Sequence, residues 1–176
     1  YQQSLPIFQE LKDRKGEARA LSNLGVAYNH LGQYERAIDV LKQSLPIKQE
    51  LKDRKGEADV LNNLGFAYRH LGQYERAINF YQQSLPIYQE LKDRKGEATV
   101  LNNLGDAYNK LGQYEKAINF YQQSLSIYQE LKDRKGEAVV LNNLGLAYDN
   151  LGQHETAIDF YEQSLPIYQE LKDRKG

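Results

Sequence analysis

The 176-residue chain contains no cysteine, no methionine and no tryptophan. Without cysteine there is neither a disulfide nor a thiolate ligand for a metal. Without methionine the chain lacks a start residue, and we expect it to be a piece of a longer protein. Long apolar runs are missing too: none approaches the roughly 20 residues that cross a bilayer, and nothing resembles a signal peptide. The missing apolar runs predict no membrane-spanning segment. The lack of cysteine does not by itself fix the compartment, and we expect a cytoplasmic location.

An excess of charge of one sign is also missing. The 23 basic and 24 acidic side chains leave a net charge of −1, whereas a nucleic-acid-binding protein usually presents a basic face. Motifs of catalysis are missing as well: there is no cysteine nucleophile, no HExxH zinc motif and no glycine-rich phosphate loop after a strand. The sequence therefore predicts a protein that is not an enzyme, that holds no metal or cofactor, and that binds neither nucleic acid nor membrane.

What the sequence does contain is a repeat. The phrase LKDRKG begins at Leu11 and returns every 40 residues until Leu171. A fixed period of this size is typical of stacked repeats, each of which is one small structural unit. We expect a single array made of one partial repeat followed by four full repeats: residues 1–16, 17–56, 57–96, 97–136 and 137–176.

Each full repeat has the apolar spacing of two amphipathic helices. In the second full repeat the first helix is expected over residues 54–71, with Asp53 as its N-cap and Gly72 as its stop. The second helix is expected over residues 73–92. Pro86 falls on the solvent face of that helix, where water can satisfy the carbonyl that proline leaves unbonded. We therefore expect a bent but continuous helix.

The recurring letters LxxLGxxY, from Leu61, and AxxxY, from Ala77, resemble the tetratricopeptide repeat (TPR). The pattern covers all four full repeats, although leucine stands where the family usually has tryptophan and the closing proline is displaced. The 40-residue period is similar to the long repeats of kinesin light chains, LGN-type adaptors, bacterial signalling proteins and cyanobacterial arrays. The resemblance implies an all-α, right-handed superhelix of antiparallel helix pairs. It also implies that the first helices line a concave groove that binds extended peptides.

Four positions of the first helix change from repeat to repeat, and on a helical wheel they lie together opposite the apolar stripe. They are Arg19, Asp59, Thr99 and Val139; Val26, Phe66, Asp106 and Leu146; Asn29, Arg69, Asn109 and Asp149; and His30, His70, Lys110 and Asn150. By the resemblance, this arc is the wall of the groove. Asparagines share the arc, and in similar long-repeat TPRs such asparagines clamp the main chain of a peptide. By the resemblance this role falls to the recurring Asn63, Asn103 and Asn143, and to Asn23 in the first full repeat. Asn62, Asn102 and Asn142 lie in the same arc.

Two alternatives stay open for these positions. An exposed helix face can drift between duplicated copies, because surface changes usually cost less than about 0.5 kcal/mol. Against drift, the equally exposed outer positions of the second helix recur almost unchanged: Gln82, Gln83, Gln89 and Glu90 reappear in the third repeat. The asparagines have their own alternative, which is that they form hydrogen bonds between repeats and fix the stacking.

Charge at the variable positions is graded along the chain. It is positive in the first full repeat, at Arg19, and negative in the fourth, at Asp149. We therefore expect a bound peptide to place its acidic part toward Arg19 and its basic part toward Asp149. Phe66 is the expected apolar anchor, because aromatic side chains dominate binding hot spots.

The pattern and the resemblance together favour a peptide- or protein-binding scaffold module of a larger signalling or adaptor protein. An alternative is structural assembly, since no polar capping helix closes either end and repeat arrays normally need caps. Apolar side chains at the two ends would then stack molecules head to tail: Leu5, Ile7 and Phe8 at one end, and Ile158, Tyr161, Leu165 and Tyr168 at the other. A consensus-like engineered array without a natural ligand is a third possibility.

Overall fold

The computed structural model describes residues 5–173, except for the side chains of residues 5, 6, 9 and 173. Within that range the chain forms nine α-helices and no strand, which confirms the all-α fold class. The helices are α1 (Leu5–Glu10), α2 (Arg14–His30), α3 (Tyr34–Glu50), α4 (Arg54–His70), α5 (Tyr74–Glu90), α6 (Arg94–Lys110), α7 (Tyr114–Glu130), α8 (Arg134–Asn150) and α9 (His154–Asp173).

The helices group into two compact units, one that ends at Leu91 and one that begins at Lys92. In the N-terminal unit α2 pairs with α3 and α4 pairs with α5, and the first helices α2 and α4 also touch. In the C-terminal unit α6 pairs with α7, α8 pairs with α9, and α6 touches α8. Each unit therefore holds two antiparallel helix pairs of the predicted 40-residue repeat, whereas the single array over residues 1–176 stays a prediction.

The predicted helix ends are confirmed to within two residues. Asp53 is the N-cap of α4, and its carboxylate accepts a hydrogen bond from the N–H of Gly56 at 2.9 Å. Gly72 follows α4 with a φ of 73°, the left-handed conformation that glycine adopts without a steric penalty. In the turn between repeats the left-handed position is occupied by a lysine and not by a glycine, since Lys52 has a φ of 52°. The glycine of KDRKG lies inside the first turn of the next helix instead.

Proline does not interrupt the second helices. The helix α5 runs unbroken from Tyr74 to Glu90 with Pro86 inside it, and Pro86 is exposed to solvent. The same holds for Pro46 in α3 and Pro166 in α9. The expected continuity is confirmed, and the expected bend stays a prediction. Among the described residues no helix is long and apolar enough to cross a membrane.

In the pairs α4–α5, α6–α7 and α8–α9 a tyrosine of the second helix packs against a glycine of the first helix, whereas in the pair α2–α3 Leu41 packs against Gly25. Tyr81 in α5 is completely buried, and a Cβ atom built on Gly65 in α4 would lie 2.5 Å from its ring. Tyr121 and Gly105 make the same contact in the C-terminal unit. A Cβ atom could not fit at this distance, so only glycine lets the two helices approach here. The LG pair of the motif therefore marks the point where they cross.

The N-cap Asp133 of α8 illustrates how charge supports the helix ends. Its carboxylate pairs with the ammonium of Lys95 at 2.9 Å and accepts the N–H of Gly136 at 3.1 Å. The ion pair and then the backbone hydrogen bond hold the pKa of Asp133 below its ordinary value of 3.8. The folded state therefore prefers the ionised carboxylate, which stabilises the protein at pH values above 3.8, and this contribution is lost as the pH falls below 3.8.

Replacing Asp133 by asparagine keeps an oxygen for the cap but removes the charge. We expect Asp133→Asn to lower the free energy of unfolding at neutral pH by up to about 1 kcal/mol, because Lys95 is largely exposed. The difference from the wild type should shrink once the pH falls below 3.8. Urea unfolding of both proteins at neutral pH and at about pH 3 measures it. A difference that does not change with pH would contradict the role of the charge.

Candidate functional site

Eighteen of the twenty predicted groove residues are exposed to solvent or half-buried. Eight of them are exposed: Arg19, His30, His70, Lys110, Asn142, Leu146, Asp149 and Asn150. Ten are half-buried: Asn23, Asp59, Asn62, Asn63, Phe66, Arg69, Asn102, Asn103, Asp106 and Asn143. The exceptions are Asn29 and Asn109, which are only 6% and 5% exposed.

These two buried asparagines join neighbouring repeats. The Nδ2 of Asn29 in α2 donates to the main-chain carbonyl of Asn63 in α4 at 3.1 Å. In the C-terminal unit the Oδ1 of Asn109 in α6 accepts a hydrogen bond from the Nδ2 of Asn150 in α8 at 3.2 Å. The expectation that both side chains face a ligand is therefore wrong, because the next first helix of the same unit lies against this position and covers it.

Other asparagines of the arc are held in a similar way. The Nδ2 of Asn143 in α8 donates to the Oδ1 of Asn102 in α6 at 2.9 Å. The Nδ2 of Asn63 donates to the carbonyl of Asp59, one turn earlier in its own helix, at 2.7 Å. The structure thus supports the second interpretation of the asparagines for Asn102 and Asn143, namely that they fix the spacing of neighbouring first helices.

Phe66 belongs to a cluster of rings rather than to an open wall. Its ring centroid lies 4.3 Å from that of His70 and 6.4 Å from that of Tyr34, and the rings of Tyr34 and His70 stack at 4.8 Å. The guanidinium of Arg69 lies 5.3 Å from the centre of the Phe66 ring. A partner would therefore meet the edge of this ring cluster, which α3 and α4 build together.

A crevice opens between the two first helices of each unit. In the N-terminal unit it has a volume of about 310 Å³ and separates α2 from α4. In the C-terminal unit it has a volume of about 290 Å³ and separates α6 from α8. The N-terminal crevice is lined by Arg19, Ser22, Asn23, Val26, Lys48, Gly56, Asp59, Val60 and Asn63. The C-terminal crevice is lined by Lys95, Asn102, Tyr128, Asp133, Lys135, Gly136 and Val139.

The sequence of the chain matches a known family over almost its whole length. The family model described as Tetratricopeptide repeat matches residues 1–50, 56–130 and 97–170. The chain belongs to the TPR family. TPRs are scaffolds that commonly mediate protein interactions and are generally not catalytic. A comparison with curated proteins finds no significant match.

Solved TPR structures with the same fold include three informative cases. BtubC (BKLC) from P. vanneervenii is 25% identical, with a TM-score of 0.87, over 98% of this chain and 72% of that chain. The TPR-like repeats of a putative kinesin light chain from Podosopora anserina are 22% identical, with a TM-score of 0.72, over 86% of this chain and 75% of that chain. A Rap protein complexed with Competence and Sporulation Factor is 18% identical, with a TM-score of 0.82, over 90% of this chain and 44% of that chain.

The crevices of the TPR pairs contain side chains that the helical wheel of the first helices did not suggest. Lys48 comes from the second helix α3, and Tyr128 comes from the second helix α7. Lys48 pairs with the N-cap Asp53 at 2.7 Å, and this hydrogen bond, followed by the one from Gly56, holds the pKa of Asp53 below its ordinary value. The sequence contains an indication of this: lysine stands at position 48, where the later repeats have Tyr88, Tyr128 and Tyr168.

The last described TPR exposes an apolar face. In α9 the side chains of Ile158, Leu165 and Tyr168 are 54%, 56% and 40% exposed. At the other end Ile7 is 54% exposed, Phe8 is half-buried, and the side chain of Leu5 lies outside the described residues. Tyr161 is half-buried. These exposures leave end-to-end stacking as a prediction.

Among residues 5–173 no three His, Asp or Glu side chains lie close enough together to hold a metal ion. The Nδ1 of His154 pairs with Asp149 at 2.8 Å, and both side chains are exposed. The first helices carry a row of side chains that differ between repeats, and these lie beside the two crevices.

Proposed function

We propose that this TPR chain is a non-catalytic scaffold that binds an extended segment of a peptide or protein along the exposed side of its first helices. The observation that carries the proposal is where the sequence varies. The four variable positions of the first helices are exposed or half-buried apart from Asn29 and Asn109. The recurring apolar residues of the same helices, such as Leu61 and Leu64, are buried, and exposed positions of the second helices such as Gln82 and Gln83 recur unchanged in the third repeat. Variation on the open side and uniformity inside are expected of a surface that selects a ligand.

The crevices support the same proposal. A channel between two parallel first helices can accept a side chain of an extended segment, while the rims contact its main chain. The hydrogen bonds from Asn143 to Asn102 and from Asn29 to Asn63 keep neighbouring first helices at a set distance in their units. We therefore assign the asparagines chiefly to the width of the crevice, and the variable side chains to the choice of ligand.

The comparisons lend support of a more general kind. The Rap protein that shares this fold is complexed with Competence and Sporulation Factor. A chain with the same helix pairs can therefore hold a partner, although 18% identity does not carry the partner over to this protein.

A test removes one exposed column of the first helices. His30, His70 and Lys110 occupy equivalent positions and are exposed. We expect the triple variant His30→Ala, His70→Ala, Lys110→Ala to bind a peptide selected from a display library with an affinity about tenfold or more lower than that of the wild type. The melting temperature should stay nearly unchanged, because surface substitutions cost little. Fluorescence anisotropy with the labelled peptide measures the affinity.

The matched control lies on the second helices. Gln43→Ala, Gln83→Ala and Gln123→Ala remove three exposed side chains at one position of α3, α5 and α7. This control should bind the peptide as the wild type does. Loss of binding in the control alone, or a library that yields no bound peptide, would contradict the proposed function.

A second candidate function is assembly, which the exposed apolar face of α9 favours. It predicts that the mass of the chain in solution rises with concentration and that Ile158→Glu prevents the rise. Sedimentation that shows one constant monomer mass would contradict it.

A further inference from the structure

The helix α9 exposes an apolar residue that is buried at the equivalent positions of α3 and α7. Ile158 in α9 is 54% exposed, whereas Ile38 in α3 and Ile118 in α7 are 7% and 8% exposed. In the N-terminal unit α4 packs on α3, and in the C-terminal unit α8 packs on α7. A first helix thus covers this face of α3 and of α7, and the same face of α9 is open to solvent.

The first helix α2 has the other half of this contact partly open. Leu24 and Ala27 in α2 are half-buried. Their equivalents in α4, Leu64 and Ala67, are completely buried where α3 packs on α4. The helix that packs before α2 is α1, which has 6 residues against the 17 of α2. Because α1 covers only part of α2, Leu24 and Ala27 keep some of their apolar surface in water.

The short helix α1 has nearly the sequence of the end of α9. Residues 1–16 and 161–176 differ only at the second and the eighth position of the segment. The helix α1 therefore corresponds to the last turns of a second helix, whereas α9 has the earlier turns as well. An end of α9 that lay on α2 would meet the surface that α1 meets now.

The contact of α1 with α2 repeats the end of a contact inside the C-terminal unit. The ring of Phe8 packs beside Gly16 in the first turn of α2, and the ring of Tyr128 in α7 packs beside Gly136 in the first turn of α8. Tyr168 in α9 stands at the equivalent position and is 40% exposed. The end of α9 thus carries the ring that fits beside such a glycine, and this ring has open surface.

We propose that α9 of one molecule docks on α2 of a second copy of the chain and takes the place of α1 there. The occupant is a copy of the same protein because the two faces already meet inside the molecule, as α3 with α4 and as α7 with α8. The contact buries Ile158 of one copy against Leu24 and Ala27 of the next. This inference rests on the second candidate function, assembly, and names the surfaces that it uses. It is independent of peptide binding.

The exchange replaces the contacts of α1 and adds apolar burial. The end of α9 supplies nearly the same side chains that α1 withdraws. The earlier turns of α9 then cover the part of α2 that α1 leaves open, and removal of apolar surface from water favours association. Exchange of an identical element between copies is a low-cost route to assembly. Because the two faces differ, the contact leaves one free face of each kind and further copies can add.

Two variants, each with one blocked face, test this pairing. Ile158→Glu places a charge on α9, and Leu24→Glu places a charge on α2. At concentrations where the sedimentation mass of the wild type rises, we expect each variant alone to keep the monomer mass. An equimolar mixture should form a particle of about two chains, because α9 of the second variant docks on α2 of the first. Circular dichroism checks the fold of both variants, and Ala27→Glu replaces Leu24→Glu if the latter does not fold.

The matched control places the same charge elsewhere on α9. Gln163 is exposed, and its equivalents Gln43 and Gln123 stay exposed although α4 packs on α3 and α8 packs on α7. This position therefore lies outside the proposed contact. We expect Gln163→Glu to associate as the wild type does.

A substitution in α1 tests the exchange itself. Phe8→Ala removes the ring that packs beside Gly16, so α1 holds α2 less firmly. We expect this variant to associate about tenfold or more tightly than the wild type, although the substitution removes apolar surface. An unchanged or lower affinity would overturn the replacement of α1 by α9.

The outcomes separate this inference from the function on which it rests. A wild type that keeps one constant monomer mass would overturn both. Association of the α2 variant with itself would overturn this inference and leave assembly standing, because α9 would then meet another surface, such as α9 of a second copy. A mixture of the two folded variants that stays at the monomer mass would overturn it in the same way.

Discussion

Replacing Tyr81 by alanine is expected to lower the free energy of unfolding by about 3–5 kcal/mol, the usual cost of truncating a buried aromatic side chain. The ring of Tyr81 is fully buried and lies against Gly65 where α4 and α5 cross. Its removal leaves a cavity that the two helices cannot close without losing their other contacts. Urea unfolding followed by circular dichroism measures the loss.

Its control is the next residue of the same helix. Gln82 is exposed, and Gln82→Ala should change the free energy of unfolding by less than about 0.5 kcal/mol. If Tyr81→Ala cost no more than Gln82→Ala, the tyrosine would not be what holds α4 against α5.

Filling the other side of this contact should also destabilise the protein. By helix propensity alone, Gly65→Ala would stabilise α4 by about 1 kcal/mol. However, the new Cβ would lie 2.5 Å from Cε1 and 2.9 Å from Cζ of Tyr81. This ring is completely buried, so it cannot shift toward solvent to make room. Overpacking of this kind typically costs about 1–3 kcal/mol beyond such gains. We therefore expect a lower free energy of unfolding, which urea unfolding measures.

The double variant shows whether the contact is the cause. In a Tyr81→Ala background the added methyl group of Gly65→Ala has space, so the substitution should be neutral or stabilising there. An equal loss of stability in both backgrounds would mean that Gly65 is required for another reason, such as the conformation of α4 itself.

Much of the fold could be predicted because its signals are local and recur. The cap at Asp53 and the left-handed Gly72 depend on neighbours only a few residues away, and the sequence repeats them in every unit. The apolar stripes followed from helical geometry. The same reasoning placed the variable positions on the open side, which the exposure of His70 and Lys110 agrees with.

The parts that the sequence did not predict depend on neighbouring helices. A helical wheel shows that Asn29 and Asn109 point away from the apolar stripe, but not that the next first helix of the unit covers them. Lys48 was not among the predicted site residues because it lies on a second helix, whose end reaches into the crevice between two first helices. Both results concern distances between helices, which a wheel drawn for one helix does not contain.

The absence of cysteine makes the location of a bound peptide directly measurable, because a single introduced cysteine can carry a nitroxide label at one chosen site. Labels at His70→Cys and Lys110→Cys report on the first helices, and labels at Gln83→Cys and Gln123→Cys report on the second helices. The account predicts that the first two broaden the NMR signals of the bound peptide and that the last two do not. Broadening by the labels at positions 83 and 123, without broadening by those at positions 70 and 110, would contradict it.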